Sequence, residues 1–357
     1  MKDVSRRNFL LGIGSALGVV GLAACSSDGG ADTATATQTE KATEEAEAVM
    51  AEQTTTEDAA AAEQGIQPID SPIISELAWR TYQISEYGMD SLFWIEGDDR
   101  AILLDTGTGV FDIPSFIAAN FGDKPYDVVL THGHVDHAGG MFQFDRVFLN
   151  EADYELALGN TVEERQDYVN IMLAQSGGIY ALSPDMVVGG EDTEADAPEF
   201  LPLNEGDVFD LGGRTLEVYF TPGHTAGSCS LLDRKNRILF SGDACNQNTL
   251  LTPFGGAGED ECSDDQCVSG LKRSAEKMWE LREDFDRNVN GHVGYARWLT
   301  LVSQKPEVIP ECIELCQDIL DGKVVGEEQV GIGGNTNLVA KSKTGVMQIQ
   351  YMPWQVK

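Results

Sequence analysis

Three of the five histidines in this 357-residue chain fall within six positions, in the run Thr131-His132-Gly133-His134-Val135-Asp136-His137. Neutral imidazoles and carboxylates are ligands for first-row transition metals, zinc above all. Imidazoles two residues apart on an extended loop point to the same side, and Gly133 between them relieves crowding. Asp136-His137 starts the next helix and turns two more donors inward. A polar loop with a capping aspartate accounts for Asp136 but not for the three histidines beside it. The other two histidines each follow a short apolar run: His224 in Thr221-Pro222-Gly223-His224-Thr225-Ala226-Gly227-Ser228 and His292 in Asn290-Gly291-His292. Between them, Leu239-Phe240-Ser241-Gly242-Asp243 ends another run with a carboxylate. Taken singly these are ordinary turns; taken in order along the chain they point to one site.

Such side chains need strand ends to hold them. Trp79 to Ile84, Ser91 to Glu96 and Ala101 to Leu104 are apolar or β-branched and separated by turn residues, which predicts a meander. A short helix opened by Pro114 is expected from Asp112 to Asn120. A buried strand from Asp127 to Leu130 then leads directly into the histidine run. Helices follow at Tyr154 to Leu158 and Val162 to Ala174. Strands are expected again near Thr215 to Phe220, Ser228 to Leu232 and Arg237 to Phe240, then helices from Val268 to Glu283 and Glu307 to Leu320. Strand clusters in both halves, each followed by helices, predict a layered α/β sandwich rather than one doubly wound sheet.

The succession HGHVDH, TPGHTAGS, LFSGD and NGH resembles the metallo-β-lactamase fold superfamily, and within it the hydrolases of the glyoxalase II type, over roughly residues 76–300. The resemblance implies an αββα four-layer sandwich with a two-metal site at one edge of the paired sheets. It implies that His132, His134 and His224 hold one metal, that Asp136, His137 and His292 hold a second, and that Asp243 bridges them. The implied cofactors are two divalent ions, Zn²⁺ first, with iron or manganese as alternatives. Such a pair acidifies a shared water, so that hydroxide is available at neutral pH, with Asp136 orienting it and taking its proton. The implied reaction is metal-assisted hydrolysis of a small ester, thioester, lactone or phosphodiester. An iron-dependent redox enzyme of the persulfide oxygenase type, on the same scaffold, is the alternative. β-Lactamases of this superfamily mostly carry Cys or Ser where Asp243 stands, which argues against a dedicated β-lactamase.

The composition narrows the partners. Asp and Glu number 59 against 24 Lys and Arg, for a net charge of -35. A surface this acidic repels phosphate backbones, so nucleic acid is not an expected partner, and contact with a membrane is expected only through an anchor. Residues 1–25 supply one: Arg6-Arg7 precede an apolar run from Phe9 to Ala24 that is too short to span a bilayer. Ser5-Arg6-Arg7-Asn8-Phe9-Leu10 resembles a twin-arginine export signal, and Leu22-Ala23-Ala24-Cys25 a lipobox in which Cys25 is lipidated. Residues 26–70 hold 11 acidic residues, one lysine and few large apolar side chains, the composition of a disordered tether. Residues 71–357 form the expected hydrolase domain. The chain is thus expected to be exported and lipid-anchored on the outer face of the cytoplasmic membrane.

Two further features carry weaker expectations. The stretch from Asn150 to Leu203 is longer than a minimal domain needs, and such insertions cover a metal site and shape its pocket. Tyr168 and Tyr180 within it, and Tyr295 after His292, are candidates for substrate contact. Beyond Cys25, Cys229, Cys245, Cys262, Cys267, Cys312 and Cys316 permit three disulfides, while lacking the CxxC spacing of a zinc ribbon. The anchor is tested by fractionation: Cys25→Ala is expected to release the protein from the membrane fraction, and continued retention would place the anchor elsewhere.

Overall fold

The computed structural model describes residues 69–176, 181–191, 195–251, 263, 265–292, 303–330 and 336–357. The signal, all but the last two residues of the tether, Cys25, Cys262, Tyr180 and Tyr295 lie outside them. Seven strands in sequence order form the first sheet: β1 (Ile73–Ala78), β2 (Thr81–Glu86), β3 (Asp90–Glu96), β4 (Ala101–Leu104), β5 (Tyr126–Val129), β6 (Arg146–Leu149) and β7 (Glu199–Pro202). Next along the chain are β8 (Val208–Asp210), β9 (Thr215–Phe220), β10 (Cys229–Asp233), β11 (Ile238–Phe240), β12 (Asn248–Leu250), β13 (Arg287–Val289) and β14 (Ser303–Gln304). All of these except β12 form a second sheet in the order β14-β13-β11-β10-β9-β8. β12 joins β15 (Glu327–Val330), β16 (Thr336–Lys341) and β17 (Gln348–Tyr351) in a small third sheet.

The alternation of side chains builds the layers. Phe93 and Ile95 of β3 and Ile102 and Leu104 of β4 point inward against Leu231, Ile238, Phe240 and Val289 of the second sheet. The residues between them, Leu92, Trp94, Ala101 and Leu103, point outward and pack on Ile113 and Ile117 of helix α1 (Ile113–Phe121). That helix starts where Asp112 accepts a hydrogen bond from the Ser115 amide and Pro114 occupies the first turn. A four-residue helix α2 (Val135–Ala138), then α3 (Tyr154–Leu158) and α4 (Val162–Ser176), follow on the first-sheet side. On the far side, Leu232 and Leu239 meet α5 (Val268–Glu280) and α6 (Val308–Leu320) through Val268, Leu271, Ala275, Ile309 and Cys312. The result is the αββα four-layer sandwich.

Topology delivers chain ends to one edge. β4, β5, β6 and β7 run parallel. β11 and β13 are parallel, and β9, antiparallel to β10, shares their direction. The residues that follow β4, β5, β9, β11 and β13 therefore emerge together.

Several expectations needed correction. Trp79 lies in the β1–β2 turn, because Arg80 adopts a positive φ of 51° and reverses the chain there. The helix expected to reach Glu283 ends at Glu280, with Leu281 capping it. The sequence reading anticipated neither β1 nor the third sheet. None of the five described cysteines after Cys25 is in a disulfide; all are buried thiols, and Cys267 caps α5 by accepting from the Gly270 amide.

At the end of β2, the fully buried Glu86 carboxylate accepts the backbone N–H groups of Thr108, Gly109 and Val110 at 2.7, 3.0 and 3.0 Å. Burial pushes its pKa up to about 7, against the pull of those three amides. An acceptor-only group suits this position, since a side-chain amide would turn an N–H toward another donor. Glu86→Gln is therefore expected to cost about 1–3 kcal/mol, read as a lower urea midpoint; an unchanged midpoint would contradict this role.

Candidate metal centre

Each candidate side chain sits just past a strand end. β5 leads through Leu130 and Thr131 to His132, and α2 carries Asp136 and His137 one turn on. β9 leads to His224, β11 to Asp243 and β13 to His292. The loops pack tightly enough to need glycine: a Cβ on Gly291 would lie 2.1 Å from the His137 ring.

The structure brings all seven candidates together. His224 Nε2 lies 2.8 Å from His134 Nδ1 and 3.2 Å from His132 Nε2, so three imidazoles converge on one point. His292 Nε2 lies 2.8 Å from Asp243 and 3.6 Å from Asp136. His137 Nε2 lies 3.5 Å from Asp243 and 3.9 Å from Asp136. Three overlapping groups could each hold an ion: His132, His134 and His224; His132, His137 and Asp243; and Asp136, His137 and His292. Asp243 lies between the two ends, 3.7 Å from His224 on one side and against His292 on the other.

Outer partners fix which nitrogen faces inward. His224 Nδ1 donates to the Leu250 carbonyl at 2.6 Å, leaving Nε2 bare toward the cluster. His137 Nδ1 donates to Asp105 at 2.9 Å. Asp105, just after β4, also accepts the Thr131 amide at 2.7 Å and hydroxyl at 2.9 Å, so one carboxylate orients His137 and the approach to His132.

The electrostatics divide the cluster. Burial, reinforced by neighbouring imidazoles, holds His132 and His134 well below the ordinary histidine range, so both are neutral. Burial also works against charge on His137 and His292. Asp136, Asp105 and Asp243 nevertheless raise His137 to about 10, and Asp243 and Asp136 raise His292 to about 9. Burial would raise Asp243, but His292 and His137 keep it well below the usual carboxylate range. Protons on two imidazoles thus balance a buried excess of carboxylate.

Whether a metal fits is decided by what remains unsatisfied. Among the described residues, His137 Nε2 and Asp243 Oδ1 are buried without a hydrogen-bond partner, although such atoms are ordinarily paired. Both face the cluster; Asp243 Oδ1 offers an electron pair as it stands and His137 Nε2 offers one on giving up its proton, and the donor set of imidazole and carboxylate suits a divalent transition ion. The residues fit the metal.

Of the tyrosines considered for substrate contact, Tyr168 is turned inward instead. Its hydroxyl donates to Asp90 at 3.0 Å and lies 3.3 Å from Asp136. Sequence reasoning missed Asp90, Asp105 and Asp153. Asp105 had a usable signal, since it directly follows the wholly apolar strand β4, much as Asp243 comes three residues after the end of β11.

A four-layer αββα sandwich with a histidine–carboxylate cluster where its strands emerge defines a class of metal-binding folds. The model of the metallo-beta-lactamase superfamily matches residues 88–285, and the chain belongs to that family. The match includes every clustered residue except His292. Among curated relatives, the chain is 33% identical over 186 residues to a protein of Bos taurus named acyl-coenzyme A thioesterase MBLAC2, covering 48% of this chain and 64% of that one. It is 28% identical over 189 residues to the probable metallo-hydrolase YqgX of Bacillus subtilis, covering 49% of this chain and 81% of the other. The chain thus spans just under two thirds of the MBLAC2 relative. Among solved structures, the sec-alkylsulfatase Pisa1 from a Pseudomonas species aligns with a TM-score of 0.51 at 16% identity, covering 70% of this chain and 42% of that one, a likeness of fold alone.

The two protonated imidazoles make metal-free protein sensitive to alkali. Their folded-state pKa values lie above the unfolded value of about 6.5. Their contribution is therefore complete below that pH and is lost as pH rises through about 9 for His292 and about 10 for His137. The urea midpoint of chelator-treated protein is expected to fall across this interval, and to fall less in His292→Gln. An identical fall in both would contradict the assignment.

Proposed function

We propose that this chain is an exported, lipid-anchored, dinuclear metal-dependent hydrolase, with acyl thioesters the first substrate class and other esters, lactones and phosphodiesters behind it. In this reading residues 1–25 are the twin-arginine lipoprotein signal ending at Cys25, 26–70 the tether and 71–357 the catalytic domain. The observation that carries the reading is the convergence of seven donors, six buried and His292 partly so, two of them with buried atoms that have no hydrogen-bond partner among the described residues. The thioester preference rests on the name of the MBLAC2 relative.

His132, His134 and His224 would hold one ion, and Asp136, His137 and His292 the other, with Asp243 shared. When bound, two divalent cations, zinc foremost, supply an acidified water and polarise the carbonyl under attack. The chain's own part is to keep His132 and His134 neutral by burial, so that their lone pairs are available. Asp105 holds the His137 ring in the tautomer that turns Nε2 inward. Asp136, one oxygen of which faces His292 and His137, would in this reading orient the attacking water and take up its proton. All five histidines are committed to the cluster, so none is left to activate a serine or cysteine nucleophile. Seven donors also exceed what a single-iron oxygenase site uses, which favours hydrolysis over the redox alternative.

The test is turnover of acyl thioesters, activated esters, lactones and phosphodiesters by metal-replete protein. Wild type is expected to hydrolyse at least the thioester. Asp136→Ala is expected to lose about 10²–10⁴-fold in kcat and His134→Ala to be inactive, both with unchanged circular dichroism. Full turnover in either folded variant, or oxygen consumption in place of hydrolysis, would overturn the proposal.

A further inference from the structure

The segment that follows β6, expected to cover the metal site and shape its pocket, sends polar side chains to the metal cluster. Asn150 caps a short turn by accepting the Ala152 amide, which brings Asp153 beneath both histidine loops. The buried Asp153 carboxylate accepts the Gly133 amide at 2.9 Å, between His132 and His134. It also accepts the Thr225 hydroxyl at 2.6 Å and the Gly227 amide at 2.7 Å, just beyond His224. Asn160 of the same segment donates to the Gly133 carbonyl at 3.0 Å, so both polar groups of that glycine are gripped. The fit excludes larger residues: a Cβ on Gly227 would lie 2.6 Å from Asp153 Cγ, and one on Gly133 2.8 Å from the Asp153 carbonyl oxygen.

Helix α4 makes the corresponding connection to the other end of the cluster. Arg165, fully buried, donates to the carbonyls of Gly139, at 3.1 Å, and Val188, at 3.0 Å, and also to Gly189. Gly139 immediately follows α2, the helix that carries Asp136 and His137. Three residues along α4, the buried Tyr168 hydroxyl donates to Asp90 at 3.0 Å and reaches Asp136 at 3.3 Å. Asp90 in turn pairs with the His292 backbone as an isolated bridge and lies 3.7 Å from the His292 ring. The hydroxyl thus links Asp136, a donor of the second group, to Asp90, which backs His292, another of them.

We propose that residues 150–176 position the metal centre one half at a time, Asp153 setting the His132, His134 and His224 trio and Tyr168 setting Asp136 and His292. Both are positioning residues, separated along the chain and acting on different loops. Each is expected to control one ion and not the other. The proposal rests on the dinuclear reading above, and the experiment separates the two.

The experiment measures zinc affinity of the full chain by competition with a chromogenic chelator, in two single-site backgrounds. His292→Gln leaves the histidine trio as the tight site, and His224→Gln leaves the other. Asp153→Asn is expected to weaken zinc binding about 10–100-fold in the first background and to leave the second unchanged; Tyr168→Phe is expected to do the reverse. A general loss of packing would lower both sites together. Should Asp153→Asn fail to fold, Thr225→Val removes the 2.6 Å contact to Asp153 together with a 2.7 Å contact to the Ser228 hydroxyl, keeps both amide bonds to Asp153, and is expected to show the same site preference at smaller amplitude. Equal weakening of both sites by either variant, or no weakening by either, would overturn this proposal while leaving the dinuclear reading intact. Wild-type protein that takes up no zinc would overturn both.

Discussion

Four buried carboxylates, Asp90, Asp105, Asp136 and Asp243, stand against His137 and His292 at the edge of the sandwich, and the rest of the molecule is arranged around that excess of electron pairs. Burying a charge is costly unless it is compensated. In metal-free protein the compensation comes from protons, which is why His137 and His292 hold theirs far above the ordinary histidine range. It is incomplete, since His137 Nε2 and Asp243 Oδ1 still find no hydrogen-bond partner among the described residues. Divalent cations would relieve both deficits at once.

The fold makes this concentration possible by separating stability from chemistry. Between the sheets, Phe93, Ile102, Leu231 and Phe240 form a dry core that needs nothing from the site. Because β4 to β7 share one direction in the first sheet, and β9, β11 and β13 share one in the second, loops distant in sequence arrive at one edge. Precision is then supplied by outer carboxylates. Asp105 orients a ring, Asp153 ties two loops, and Glu86 collects the three amides of the turn at Thr108 to Val110. An acceptor-only side chain can gather several N–H groups from different segments, which explains why the same device recurs.

Much of the site was legible in the sequence because histidine is rare in this chain and the relevant ones follow strand ends. Asp136 and Asp243 were legible by association with them. Asp90 and Asp153 were not singled out, because Asp and Glu are so frequent here that one more carboxylate carries no signal; Asp105 carried one in the apolar strand before it, without a histidine beside it to draw attention. Their role depends on contacts between residues distant in sequence, such as Asp153 with Gly227 or Tyr168 with Asp136. For the fold, the inner strands were readable from apolar runs such as Ala101–Leu104. The third sheet was not: β15 is exposed along its whole length and β12 is three residues long, so neither displays a buried face in its pattern.

The central claim is that seven side chains form one dinuclear centre. Anomalous diffraction from crystals of protein purified without chelator, collected across the zinc, iron and manganese edges, tests it most directly. Two peaks per chain are expected, one among His132, His134 and His224 and one among Asp136, His137 and His292, with Asp243 between them. A single peak, or none among these residues, would contradict the account.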